Sequence, residues 1–329
     1  MTNYKRIIII TKNTLLISIM ILIICNLLII IMKPDMNIPD DWSKPHQISK
    51  TNLVHELKVN YSGNWQGILI ETNELGLRDK SYPIKKEVNT KRIIVIGDSV
   101  IFGVRVNEQD TFSSVLENKL NNNSEINYEV WNAGVSCYNS VENYLQLKKL
   151  LTYEPDMIIL GFVNNDISDP SCFVFDKESF INNNLMIKMI EHTFLRRINL
   201  TNLIIKNIYN YQKKKAIIKF DKLISNDYVQ ENKNAFFKML NLTEQKNISL
   251  IILNIPSMKE PYYSSYQQEI INSSKKLNKT MIDIYQVYQQ EGIYWQGSLR
   301  QVNEDYLHPN EKGHKLIAER IFQELNIKS

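Results

Sequence analysis

Residues 91–99 read KRIIVIGDS, a basic pair, four consecutive branched aliphatics and a Gly-Asp-Ser turn. Ile93, Ile94, Val95 and Ile96 leave no polar position on either side of an extended chain, so both faces must be covered. That pattern belongs to the interior of a parallel sheet. Working outward, it recurs at 156–162 (DMIILGF) and at 249–255 (SLIILNI), and further strands are expected at 127–132 and 280–284. Helix candidates lie between these runs. Residues 110–120 have Thr111 as a cap, 140–151 carry Val141, Leu145 and Leu147, and 312–325 close the chain. Strands alternating with helices imply right-handed crossovers and a parallel sheet with helices on both faces.

The interval 168–246 breaks this rhythm. It is rich in Asn, Lys, Phe and Tyr, carries no catalytic spacing, and is expected to be a helical cap inserted after the third strand, with helices over 180–195, 203–223 and 230–245. Upstream, 61–83 suggests short strands with turns, and 34–58, with Pro34, Pro39 and Pro45, suggests an extended stalk.

The N-terminal region is of another kind. From Thr14 to Met32 the chain has nineteen residues without a charge. At about 1.5 Å per residue such a helix spans roughly 28 Å, close to the hydrocarbon core of a bilayer. Lys5, Arg6 and Lys12 precede it and Lys33, Asp35, Asp40 and Asp41 follow, which places the N-terminus in the cytoplasm. A cleaved signal peptide has a shorter apolar core and a small-residue cleavage site, and Ile24 before Cys25 does not suit a lipoprotein. The expectation is a single-pass anchor through residues 14–32. The expected domains are 1–33 (cytoplasmic tip and anchor), 34–90 (linker and lead-in) and 91–329 (catalytic domain).

Composition narrows the function. Lys plus Arg exceeds Asp plus Glu by 39 − 35 = 4, with no basic stripe or zinc-finger spacing, so a dedicated nucleic-acid binder is excluded. Cys25, Cys137 and Cys172 are too few for a disulfide scaffold and lack CxxC spacing; Cys137 and Cys172 are expected to be unpaired. GxSxG, GxGxxG, the P-loop and HExxH are all absent, so no cofactor or metal is expected.

Ligands of open parallel sheets bind at the carboxyl ends of the strands. After the first strand comes IGDSV (96–100), after the second NAGVS (132–136), after the third GFVNND (161–166), and before the last helix DYLHP (305–309). A serine needs a base to take its proton, and an Asp three residues before a His can fix the imidazole tautomer. Each segment alone has an ordinary reading as a turn, a polar loop or a helix start; their joint occurrence at strand ends favours an enzyme.

The set resembles the SGNH (GDSL-type) esterase/lipase family, from about residue 91 onward. The resemblance implies Ser99 as nucleophile, His308 as base and Asp305 as its orienting residue. It implies an oxyanion hole from the Ser99 and Gly134 backbone N–H groups and the Asn165 side chain. Val100 stands where the eponymous Leu would be, and Cys137 where a small flexible residue is expected. Asn73, Gly76 and Arg78 (in NELGLR) resemble a segment seen ahead of the first block in membrane-anchored members, with Arg78 expected in a structural salt bridge rather than on a substrate anion. His46, His55, His192 and His314 are expected to be packing or surface residues.

The expected protein is therefore a membrane-anchored, extracytoplasmic serine esterase with a flavodoxin-like α/β/α fold and an inserted cap. Its expected substrate is a small acyl ester, such as O-acetyl groups on a cell-envelope glycan. The alternatives are an O-acyltransferase using the same residues and an inactive glycan-binding module.

Overall fold

The computed structural model describes residues 3–32, 44–49, 53, 55–163, 166, 187, 190, 198–221, 226–255, 265–290 and 308–325. Two compact units make up the chain, one of Trp42–Phe173 with Phe220–Ser329, the other of Met1–Asp41 with Val174–Lys219.

The first unit is built on five parallel strands: β5 (Thr90–Gly97), β6 (Asn127–Gly134), β7 (Met157–Val163), β8 (Ser249–Ile255) and β9 (Thr280–Asp283), preceded in the chain by four short strands given below. Their spatial order is β6-β5-β7-β8-β9, which is the flavodoxin-like 2-1-3-4-5 arrangement. The apolar runs alternate between two cores. Ile93 and Val95 face one side, with Phe112, Leu116 and Leu120 of α3 (Phe112–Asn122) and Ile317 and Ile321 of α9 (Glu311–Glu324). Ile94 and Ile96 face the other side, with Leu147 and Leu150 of α4 (Ser140–Leu150) and Phe236, Met239 and Leu240 of α6 (Asn226–Gln245). α7 (Ser265–Lys276) covers the same face through Ile270, and α8 (Ile284–Gln290) the opposite one through Ile284, Val287 and Tyr288.

Two expectations are corrected here. α6 falls in the stretch expected to be a cap, yet its apolar stripe packs on the sheet as the crossover helix between β7 and β8. The expected stalk contains a hairpin, β1 (His46–Ile48) with β2 (His55–Leu57), whose Leu53 and Leu57 join a third apolar cluster. A second hairpin, β3 (Ser62–Trp65) with β4 (Ile68–Glu71), turns through Gln66 and Gly67, both at positive φ as a tight two-residue hairpin requires. Trp65 and Ile70 enter that cluster beside Phe102, Val104, Val135 and Tyr138.

In the other unit, α1 (Asn3–Met32) holds an unburied window, Ile10–Leu27, of mean hydropathy 1.9. It is long and apolar enough to cross a membrane, and lies where signal sequences also lie. Separately, α5 (Asn199–Asp221) buries Ile205 and Tyr209 against Ile187 and Ile190.

Candidate active site

β5 ends beside the point where the strand order reverses, between its neighbours β6 and β7. There Asp98 caps the four-residue helix α2 (Ser99–Phe102), its Oδ1 accepting from the Val100 N–H at 3.0 Å. Glycines on three adjacent strands form the bed for this helix. A Cβ at Gly97 would sit 2.3 Å from Ile101 Cγ1, one at Gly161 2.2 Å from Ile101 Cδ1, and one at Gly134 2.3 Å from the Phe102 nitrogen. Only strands without side chains there let α2 lie this close to the sheet.

Ser99 opens α2 and is buried, with its Oγ 3.3 Å from Asp98 Oδ2. His308 lies just before α9, whose cap Asn310 accepts from the Gly313 N–H. Its Nε2 is 2.9 Å from Ser99 Oγ, across 209 residues of sequence. For Nε2 to accept the hydroxyl proton, the imidazole proton must sit on Nδ1. Asp305 and Asn165 lie outside the described residues. Gly134 is described: its N–H donates to Asn132 Oδ1 at 3.1 Å. Asp166 is fully buried and accepts from the Val163 N–H at 2.9 Å. Burial, then the neighbouring Asp98, pushes its carboxyl well above the usual range and favours the neutral acid.

The loop after β6 departs from expectation at Cys137. It is disulfide-bonded rather than a free thiol, while Cys25 is free and Cys172 lies outside the described residues. Cys137 adopts φ 68°, the left-handed conformation that suits the small flexible residue expected there.

The lead-in before β5, its hairpins and the segment 73–82 that follows them, supplies contacts that motif reading missed. Arg78 makes no ion pair among the described residues; its guanidinium donates instead to the carbonyls of Phe102, Gly103 and Val106. The nearby Asp79 Oδ2 accepts from the Asn132 N–H at 2.7 Å, and burial pushes its carboxyl up to about 8. Lys80, Tyr82 and Glu117 complete this polar cluster through Lys80–Glu117 and Tyr82–Glu117 contacts. His55 Nε2 donates to the Ser136 carbonyl at 3.0 Å, and burial lowers its pKa to about 4. His46 and His314 are also buried, as packing residues; His192 lies outside the described residues. The signal for these contacts was NELGLRD itself, where Asn73 Oδ1 accepts from the Leu75 and Leu77 N–H groups and Gly76 takes φ 72°, turning Arg78 inward. Among the described residues, no group of three or more His, Cys, Asp or Glu is placed to hold a metal ion.

Comparison with known proteins follows the same lines. The model of the GDSL-like lipase/acylhydrolase family matches residues 93–321. Among solved structures, a putative lipolytic protein of the G-D-S-L family from Desulfitobacterium hafniense is 18% identical, with 71% of this chain and 98% of that chain covered and a TM-score of 0.41. A catalytic mutant of Axe2, an acetylxylan esterase from Geobacillus stearothermophilus, is 11% identical, with 72% and 94% covered and a TM-score of 0.43. A member of the lipolytic G-D-S-L family from Veillonella parvula is 13% identical, with 71% and 97% covered and a TM-score of 0.44. No curated protein matches.

Proposed function

Because this chain belongs to the GDSL-like lipase/acylhydrolase family, and so is an esterase/lipase-type hydrolase, we propose that Ser99 is its acyl-accepting nucleophile and His308 the general base. The observation that carries the assignment is the 2.9 Å approach of His308 Nε2 to Ser99 Oγ. His308 takes the hydroxyl proton as Oγ attacks the ester carbonyl, and returns it to the departing alkoxide. The acyl group remains on Ser99 until water, deprotonated by His308, releases the acid. Asp305, three residues ahead of His308, holds the imidazole with its proton on Nδ1 and stabilises the imidazolium. The N–H groups of Ser99 and Gly134 and the amide of Asn165 receive the oxyanion, and each such donor contributes roughly 3–4 kcal/mol in the transition state. Gly134 does so while sharing its N–H with Asn132 Oδ1.

The substrate we propose is an O-acetylated envelope glycan. The apolar α1 supports this location: as an anchor with Lys5, Arg6 and Lys12 inside, it leaves the catalytic unit beyond the membrane.

The test uses the full chain in detergent micelles with acetylated glycans, measuring both free acetate and acetyl transfer to an added sugar. Acetate release is expected to dominate. Ser99→Ala and His308→Ala should each lower kcat by several orders of magnitude, and the double variant scarcely further, because the two groups act as one unit. Additive losses would remove the paired assignment, and dominant transfer would make the enzyme an acyltransferase.

A further inference from the structure

Arg78 lies upstream of the residues matched to the family and is 1% exposed, so no substrate anion reaches it. A guanidinium at that depth persists only if most of its donors are matched, and here the buried Nε has no hydrogen-bond partner among the described residues while the two terminal nitrogens do. Nη1 donates to the carbonyls of Phe102 at 2.7 Å and Gly103 at 2.5 Å, and Nη2 to that of Val106 at 2.5 Å. The guanidinium also lies over the Phe102 ring, 4.6 Å from its centroid. Burial brings its pKa down to about 10, so it stays charged at neutral pH.

All of these carbonyls belong to the chain at and just after the end of α2. From there the bonding runs straight back to the nucleophile. The Gly103 and Val104 N–H groups both donate to the Ser99 carbonyl, at 3.1 and 3.2 Å. Guanidinium, Gly103 and Ser99 are thus joined in series. The other end of the turn is held by the Asp98 cap, so Arg78 supplies the restraint that Asp98 does not. Its planar fork reaches three acceptors from two nitrogens, which a single ammonium on a flexible stem does not reproduce. The same lead-in grips β6 through Asp79 and the loop after β6 through His55.

We infer that Arg78 is a positioning residue for catalysis: by clamping the chain behind α2 it sets Ser99 Oγ against His308, which makes the lead-in a working part of the active centre. The inference rests on the reading of Ser99 as nucleophile. A misplacement of about 1 Å at a reacting group costs on the order of 100-fold, so the clamp has catalytic consequences apart from stability.

The experiment compares wild type, Arg78→Lys and Arg78→Ala as full chains in micelles, each normalised to titrated active sites. It measures kcat and KM for p-nitrophenyl acetate, the rate of Ser99 phosphonylation by a fluorophosphonate, and thermal unfolding. In both variants kcat and the phosphonylation rate should fall together by ~10–100-fold, with KM nearly unchanged. Ethylguanidinium should restore part of the rate to Arg78→Ala, an effect that a purely stabilising role does not produce. If Arg78→Ala does not fold, Arg78→Lys alone decides. Variants that unfold earlier but react at the wild-type rate per active site overturn the inference. A wild-type chain that takes no phosphonate at Ser99 overturns the nucleophile reading and this inference with it.

Discussion

At position 134 the fold leaves no room for a methyl group. Gly134 is the register partner of Gly97, and both lie beneath α2. A Cβ there meets backbone, the Phe102 nitrogen at 2.3 Å and the Ile101 carbonyl carbon at 2.6 Å, and backbone in a packed turn does not swing aside. Gly134→Ala must therefore lift α2 and Ser99 with it. The expected outcome is a loss of about 1–3 kcal/mol of stability and a fall in kcat on the order of 100-fold, read from denaturation midpoints and steady-state rates. A variant with wild-type midpoint and rate would mean that the helix does not rest on this glycine. That Ser99 and His308 come within 2.9 Å of each other was foreseeable in the sequence, because the chemistry proposed for them demands particular residue types at strand ends. The closeness of Gly134 to α2 was not, since a glycine in a strand shows neither what lies above it nor how near.

Helices and strands differ in how far their patterns revealed them. The three central strands, β5, β7 and β8, were legible because burial on both faces leaves unbroken aliphatic runs such as Ile93–Ile96 and 250–253. The β1–β2 hairpin was not, because three-residue strands reading HQI and HEL have no measurable periodicity and bury histidines through partners distant in sequence. α6 was seen as a helix but given the wrong layer, since its apolar stripe does not say which surface it covers. α9 carries a testable consequence. His314 is buried in it, stacks on Phe112, and accepts the Phe112 N–H on Nδ1 at 3.2 Å, which ties α9 to the start of α3. Burial, then Arg78 and His308, lowers its pKa to about 3. The unfolded chain takes up this proton near pH 6.5, the folded chain only near 3. The stabilisation is therefore complete above 6.5 and is lost as pH falls from 6.5 toward 3, by about 1.4 kcal/mol per unit. His55, lowered to about 4, adds a slope of the same sign. The buried carboxyls of Asp79 and Asp166, raised above the usual range, slope the opposite way, so the ring is read from a difference: as pH falls from 7.5 to 5, the urea midpoint of His314→Gln should gain on that of the wild type by about one proton's worth. An unchanged slope in His314→Gln would show that this ring does not control the acid limb.

At the scale of the molecule, charge and hydropathy carry most of what was legible, because a bilayer constrains sequence more simply than a packed core does. An apolar helix near the N-terminus follows from the nineteen uncharged residues of 14–32, and α1 covers them all. The tight link between the lead-in and the sheet was hidden, because it depends on buried hydrogen bonds such as that from the Asn132 N–H to Asp79, which leave no trace in composition. Lys5, Arg6 and Lys12 precede the apolar window, and translocating them costs more than translocating the Asp-rich flank that follows, with Asp35, Asp40 and Asp41. A reporter enzyme that works only outside the cytoplasm, fused after Ser329, should therefore be active, and a cytoplasm-restricted reporter at the same place silent. Alkaline extraction should leave the fusion in the membrane fraction at full length, because an uncleaved anchor resists it, whereas a cleaved signal would release a product shorter by the apolar segment. Changing Lys5, Arg6 and Lys12 to Glu should weaken or invert the orientation and shift activity toward the cytoplasmic reporter. Cytoplasmic activity in the unaltered chain would overturn the orientation, and with it the ground for an envelope glycan as substrate, while leaving the Ser99–His308 chemistry as it stands.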